Sequence, residues 1–266
     1  MDIGAIDTSA TTGASWLHRR SPVSKLIAFA FLLAAVVVTW NLFVVLGLLA
    51  VLSAAVISAR LKARLAFGLA AYPALFALIF ALASATGIMT GAVIVSKAVT
   101  AALAAVTIVL TTPYPQVFAP VQRVVPIVVG DALLMTYRSV FLLLGKFSDL
   151  LRAMRLRAGV VGHAPIPSAR ATTRALGGLL LYSLDLSQRE YDVMRVRGYE
   201  RRLVADLPRS ERPLADAAMI ATAALLLAAS ALWRVAWQAL NPYSWIPLAA
   251  GVLLLAVVVI LRWRQR

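Results

Sequence analysis

The sequence predicts an all-α, polytopic integral membrane protein with about six transmembrane helices and a helical coupling region that faces the cytoplasm. Of its 266 residues, 62% are apolar and only 14% are charged, whereas a soluble domain carries about 25% charged residues. Apolar stretches recur along the chain at lengths that can cross a bilayer core of about 30 Å. The formal net charge is nevertheless +15, which is typical of membrane proteins whose cytoplasmic loops collect Lys and Arg.

The composition also excludes several classes of protein. The apolar content is too high for a disordered basic tail or a nucleic-acid-binding domain. The chain has no Cys and only two His, so a disulfide framework, a thiolate site and an all-His metal cage are not expected. Residues 1–15 contain Asp2 and Asp7 but no Lys or Arg, which is unlike the positive start of a signal peptide.

Residues 1–24 are predicted to be an N-terminal tail that ends in a basic cluster around Arg19 and Arg20. Residues 25–110 are predicted to form four transmembrane helices. Residues 26–57 carry no formal charge and are too long for one span, so we expect helices at 25–40 and 42–59 with a turn at Trp40 and Asn41.

The third and fourth transmembrane helices are predicted at 65–85 and 92–110. Pro73 marks a possible kink in the third helix. Lys97 interrupts the fourth helix near its predicted outer end. We favour the interpretation that its side chain extends to the membrane interface, rather than a role in an ion pathway.

Residues 111–212 are predicted to form the cytoplasmic coupling-helix region. A breaker cluster at 111–115 precedes a short helix at 116–125. A long helix at 131–157 has an apolar stripe, but its second half is too charged for an ordinary lipid span. Gly159 is expected to end that helix, and a second amphipathic helix is expected from Ser168, as N-cap, to Arg197.

Residues 213–266 are predicted to form two C-terminal transmembrane helices, at 214–232 and 245–261. A turn at Asn241 separates them, and tryptophans beside it form an aromatic belt. The termini, the basic loop at 60–64 and the coupling region then lie on one side, which the positive-inside rule makes cytoplasmic. The sequence thus predicts a multi-pass protein of a prokaryotic cytoplasmic membrane with both termini in the cytoplasm.

A repeated element ends the two long helices of the coupling region. Each copy reads Met-Arg-aliphatic-Arg-small, at 154–158 and at 194–198. One such end is explained by the helix dipole and a small cap residue, whereas two matched ends on one face indicate a docking surface. The candidate site therefore consists of Leu156, Arg157, Ala158, Val196, Arg197 and Gly198, with Arg155 and Arg195 in support.

These stretches resemble the transmembrane T component of energy-coupling factor (ECF) transporters, and most closely the cobalt/nickel-type branch called CbiQ. Residues 21–26, Ser-Pro-Val-Ser-Lys-Leu, are similar to the family's opening Asp-Pro-Arg-x-Lys-Leu, with Ser21 in place of Asp. Residues 111–115, Thr-Thr-Pro-Tyr-Pro, are similar to its Thr-rich Pro-x-Pro stretch. Residues 156–158 and 196–198 fall where the family carries paired Ala-Arg-Gly-type motifs, and both copies keep Arg.

The resemblance implies a non-catalytic scaffold that couples ATP hydrolysis to transport. It implies that Arg157 and Arg197 insert into grooves on two ABC-type ATPase subunits. Movement of these subunits would reorient a small, substrate-binding S component in the bilayer. ATP and Mg would be bound by the ATPase subunits, and no cofactor, metal or nucleic acid is expected on this chain. Cobalt or nickel is the expected substrate, and a vitamin remains an alternative.

Two other classes of function remain open on the residues alone. A membrane-embedded enzyme or a self-contained ion transporter would draw on Asp131, Arg138, Asp185 and His163. A structural ion pair of Asp131 with Arg138 is the simpler interpretation, and His163 has no second ligand at metal spacing. A binder of nucleic acid or anionic lipid would use the basic coupling region. Acidic side chains alternate with the basic ones there, which is more typical of a solvated surface than of a surface that binds polyanions.

Overall fold

The computed structural model of the chain describes residues 11, 13, 15–85, 87–122, 125–158, 165–198 and 212–264. Apart from one 3-10 turn, Asn241–Tyr243, the regular elements described are α-helices, as the sequence predicts. In chain order they are α1 Pro22–Val38, α2 Leu42–Ser58, α3 Ala63–Ser84, α4 Ile88–Thr111, α5 Tyr114–Val121, α6 Ile127–Ala158, α7 Pro165–Val196, α8 Pro213–Val235, α9 Trp237–Leu240 and α10 Trp245–Arg264.

The first two helices form the predicted hairpin. Pro22 occupies the first turn of α1, where its missing N–H costs no hydrogen bond. The Asn41 side chain caps α2 by accepting a hydrogen bond from the Phe43 backbone N–H at 2.9 Å. Each helix has 17 residues, which is the lower end of the range that spans a bilayer.

The next two helices pack along each other. Pro73 lies inside α3, and small buried residues of α3, Ala66, Ala70 and Ala81, allow its backbone to approach the neighbouring helix. Much of the remaining surface of α3 is apolar and exposed, with Leu82 and Phe80 at 80% and 61% exposure. Such a surface suits contact with lipid.

The C-terminal helices close the bundle on the first hairpin. Helix α8 packs against α1, and α10 packs against α2. Gly47 of α2 and Gly251 of α10 meet at the second contact, where the backbones lie too close to admit a Cβ atom. The largest fully buried side chains include Leu103, Val45 and Val56.

Five helical segments of the described chain are long and apolar enough to cross a membrane, at 63–84, 88–111, 127–153, 213–235 and 241–264. Helices α1 and α2 are shorter apolar helices. The segment 127–153 was not predicted as a span, because charges accumulate towards its C-terminal end. Residues 127–145 carry only the charges of Asp131 and Arg138, so this part of the helix is long and apolar enough to cross a bilayer.

The chain forms two compact units, Met1–Val117 with Leu207–Arg266, and Phe118–Asp206. The second unit contains the two long helices of the predicted coupling region. Helix α7 begins at Pro165, so the expectation that Ser168 is its N-cap is wrong. Pro165 is compatible with the first helical position, where no intrahelical N–H donor is needed. Gly159 and His163 lie outside the described residues.

Candidate functional site

Helices α6 and α7 pair in an antiparallel arrangement. The Ser139 hydroxyl donates a hydrogen bond to Glu190 Oε2 at 3.3 Å. Further along, the Lys146 ammonium lies 5.2 Å from the centre of the Tyr182 ring. A Cβ atom on Gly178 would lie 4.0 Å from Leu150 Cδ1. Residue numbers therefore increase along α6 as the numbers of the facing residues on α7 decrease. Extending this register places residue 131 opposite residue 197.

This register places the two repeated motifs at opposite ends of the helix pair. Arg157 lies near the C-terminus of α6, and Arg197 directly follows the C-terminus of α7. Counting the 26 residues from level 131 to level 157 at 1.5 Å per residue, the two positions are about 39 Å apart along the pair. The two motifs are therefore two separate points. Two matched ends on one face, as the sequence suggests, would instead form one contiguous surface.

The first motif lies on the last turn of α6, which runs to Ala158. Leu156 is 85% exposed, so this turn presents an aliphatic side chain at its surface. The side chains of Arg155, Arg157 and Ala158 lie outside the described residues.

The second motif lies where α7 ends. Val196 is 90% exposed, and Arg195 and Arg197 are exposed beside it. Gly198 has φ +71°, a left-handed conformation that ends helices and favours glycine. The predicted end of this helix near Arg197 is confirmed. An exposed aliphatic group next to an exposed guanidinium suits a protein groove that offers apolar contact and carboxylate or carbonyl acceptors.

Of the residues considered for an enzyme or ion transporter, Arg138 and Asp185 make separate ion pairs, and His163 lies outside the described residues. Arg138 lies 3.9 Å from Glu190 across the helix pair, while Asp185 forms an exposed ion pair with Arg189 at 2.8 Å on α7 itself. Asp131 is buried. No group of three or more metal-ligating side chains occurs among the residues that the structure describes.

A second polar cluster lies in the helical bundle and centres on Lys25. Lys25 is only 5% exposed. Its ammonium donates to the Thr111 carbonyl at 2.9 Å and to Thr112 Oγ1 at 3.2 Å, at the end of α4, and lies 3.5 Å from the His18 carbonyl. His18 Nε2 also lies 3.2 Å from the Leu110 carbonyl. In the sequence, Lys25 is interpreted only as one of the basic residues that mark the cytoplasmic side, and its burial is not predicted. Its place in the motif at 21–26 is a signal that could have indicated a specific role.

The same N-terminal segment contacts the start of α8. The Ser21 backbone N–H donates to Asp216 Oδ2 at 3.3 Å, and Arg20 Nη1 lies 3.9 Å from Asp216 Oδ1. Asp216 is 6% exposed. The sequence pattern predicts no role for Asp216, although an acidic residue at the start of an apolar span is a detectable signal.

Lys97 contacts the end of α1 and the turn that follows it, at the surface of the bundle. Its ammonium donates to the Val37 carbonyl at 3.1 Å and lies 4.3 Å from the centre of the Trp40 ring. Trp40 is 54% exposed, so the pair lies at the surface of the bundle where a cation–π contact replaces part of the lost hydration.

Most of the chain matches a known protein family. The family model for CbiQ, a cobalt transport protein, matches residues 13–205. The match includes Lys25, both repeated motifs and the helices that carry them. No curated protein sequence matches the chain.

Proposed function

Because the chain belongs to the CbiQ family of cobalt transport proteins, we propose that it is the transmembrane scaffold and coupling subunit of an ECF-type ABC importer. In this role it transmits the ATP-driven movement of two paired ATPase subunits to a small, substrate-binding S component. Cobalt is the proposed substrate, with nickel or a vitamin as alternatives. The chain lies in a prokaryotic cytoplasmic membrane with both termini in the cytoplasm.

The observation that carries this proposal is the placement of two matched motifs at opposite ends of one antiparallel helix pair. An ABC transporter works with a pair of ATPase subunits, and two separated docking points offer one to each. The exposed Leu156 and Val196 have the aliphatic surface that such a point would bury in a partner. Arg157 and Arg197 supply the paired charges that would hold each point in a groove lined with acceptors.

Movement of the ATPase subunits would act on this pair as a shear or a rocking motion. The polar contacts at Glu190 and Tyr182 lie between the two motifs, 7 and 15 residues from Arg197, or roughly 10.5 and 22.5 Å at 1.5 Å per residue. A force applied at both ends would therefore change the angle or register of α6 and α7 at these contacts. The chain itself would not hydrolyse ATP, since its sequence contains no Gly-x4-Gly-Lys-Ser/Thr loop.

The direct test is co-expression with the ATPase subunits and the S component, followed by purification on a tag carried by this chain in mild detergent. We expect the ATPase subunits to co-purify with the unmodified chain and to be lost from the double variant Arg157→Glu, Arg197→Glu. Arg189→Glu is the matched control, because Arg189 is exposed on α7 but lies outside the motif. Recovery of the chain without ATPase subunits would refute the scaffold role.

The substrate is tested on the same purified complex. We expect a small membrane subunit to co-purify and the complex to bind Co²⁺ in an equilibrium metal-binding assay. Binding of Ni²⁺ alone, or of a vitamin in place of either metal, would select one of the alternatives without affecting the scaffold role.

A further inference from the structure

Two sequence stretches that the proposed coupling role does not use meet inside the bundle. Residues 21–26 form the start of α1, and residues 111–115 run from the last residue of α4 into the first turn of α5. They are joined by the Lys25 ammonium, which donates to the Thr111 carbonyl and to Thr112 Oγ1. Thr111 and Thr112 are each 1% exposed, so this contact is closed to solvent and lipid.

The segment that carries Lys25 is also tied to α8. Asp216 accepts a hydrogen bond from the Ser21 backbone N–H and lies beside the Arg20 guanidinium. Trp16 extends the attachment to α2, because its indole N–H donates to Ser58 Oγ at 3.3 Å. Residues 16–25 thus contact the C-terminal ends of α2 and α4 and the N-terminal end of α8.

These contacts lie close in sequence to the two positions where the chain passes from one unit to the other. The first unit ends at Val117 and resumes at Leu207. Thr112 lies five residues before the first passage, and Asp216 lies nine residues after the second. Residues 16–25 therefore contact the end of α4 and the start of α8, which are the parts of the first unit that precede and follow the unit containing α6 and α7.

The physical chemistry of the cluster makes the attachment stiff. A buried ammonium or carboxylate is costly to leave without partners, so each group must keep the others in place. Separation of the end of α4 from the start of α8 would break the contacts of Lys25 or of Asp216. A bundle held by apolar packing alone would allow small sliding movements at the same place.

We propose that residues 16–25 form an anchor that makes the end of α4 and the start of α8 move as one body. Lys25 and Asp216 are its positioning residues. The role of the anchor rests on the proposed function: it would transmit movement of α6 and α7 to the bundle, so that the movement is not absorbed by the connecting segments. The anchor itself is a property of the isolated chain and is tested without any partner.

The test measures the distance between spin labels at Gln116→Cys, on α5, and Leu214→Cys, on α8, by pulsed electron paramagnetic resonance. The chain has no native Cys, so the two labels are specific. We expect a narrow distance distribution in the otherwise unmodified chain and a broadened one in Lys25→Met. Lys97→Met is the matched control, because Lys97 is also a lysine within a transmembrane helix, and it should leave the distribution unchanged.

Asp216→Asn keeps the size of the side chain and an acceptor for the Ser21 N–H, so it serves as the second variant if Lys25→Met does not fold. We expect it to broaden the distribution as well. An unchanged distribution in the folded variants would overturn the anchor. Equal broadening in Lys97→Met would overturn it too, because the effect would then not be specific to the cluster.

A second readout separates the anchor from the docking of the ATPase subunits. In the reconstituted complex, we expect Lys25→Met and Asp216→Asn to lower cobalt uptake per ATP hydrolysed by roughly threefold or more. ATPase subunits should still co-purify with both variants, unlike with the double reversal at Arg157 and Arg197. Unchanged uptake per ATP would overturn the coupling purpose of the anchor. Absence of ATPase subunits from the unmodified complex would instead refute the proposed function, while the label distances still decide the anchor.

Discussion

The contact between α2 and α10 should be unusually sensitive to the addition of a single methyl group. A Cβ atom built on Gly251 lies 2.7 Å from the Gly47 carbonyl oxygen and 3.1 Å from Ala50 Cβ. A Cβ atom built on Gly47 lies 2.6 Å from the Pro247 carbonyl oxygen. Backbone atoms cannot rotate away as a side chain can, so Gly251→Ala must push the two helices apart.

The size of the effect follows from this geometry. Restoring an ordinary contact of about 3.4 Å requires a shift of about 0.7 Å between the helices. Overpacking of this kind costs about 1–3 kcal/mol. Replacing glycine by alanine within a helix returns about 0.5–1 kcal/mol through the unfolded state. We therefore expect a net loss of about 0–2.5 kcal/mol in the free energy of unfolding, and a stability about 1–3 kcal/mol below that of a glycine-to-alanine variant without the clash.

The assay is unfolding by sodium dodecyl sulfate in mixed micelles, followed by the fluorescence of the six tryptophans. Gly68→Ala is the matched control, because a Cβ atom at Gly68 of α3 meets nothing within 4 Å. Both variants change helix propensity equally, so the difference between them isolates the clash. If Gly251→Ala is as stable as Gly68→Ala, the close approach of α2 and α10 is refuted.

Four further predictions concern caps, docking and polar contacts. Asn41→Ala should cost about 1 kcal/mol of unfolding free energy in the same titration, because α2 loses its side-chain cap; no loss would show that the cap is dispensable. Val196→Asp should leave stability unchanged but weaken ATPase recovery about tenfold, or ~1.4 kcal/mol of binding; full recovery would remove Val196 from the docking surface. Glu190→Gln should increase hydrogen exchange of α6 and α7, since the charged partner of Arg138 is lost, whereas unchanged exchange would show that the contact contributes nothing. Lys97→Met should change the unfolding free energy by less than about 1 kcal/mol, as expected for an exposed cation–π contact; a larger loss would indicate a buried role.

The helices of the bundle can be predicted closely because apolar length and turn residues determine them locally. The spans predicted at 42–59 and 65–85 correspond to α2 and α3 within two residues at each end. The predicted start of α7 is too late, because the two prolines before Ser168 are typical of a loop. Proline disrupts a helix interior but is accepted in the first turn, and the sequence pattern alone does not distinguish these positions.

The candidate site can be predicted as a set of residues but not as an arrangement. The repeated Met-Arg-x-Arg pattern identifies both helix ends, yet their separation depends on the antiparallel register of α6 and α7. That register is set by contacts such as Ser139 with Glu190, which no local pattern encodes. Lys25 and Asp216 escape prediction for the same reason. Their partners lie far away in sequence, on α4 and on the segment before α1, so the sequence signals at both positions do not identify what they contact.

The coupling role is tested most directly by cobalt transport in liposomes that contain either the complete complex or this chain alone. We expect Co²⁺ accumulation that requires ATP and both ATPase subunits, and that is abolished by the double variant Arg157→Glu, Arg197→Glu. We expect no transport by this chain alone. Accumulation of Co²⁺ by the chain without ATPase subunits would contradict the coupling role and support a self-contained ion transporter.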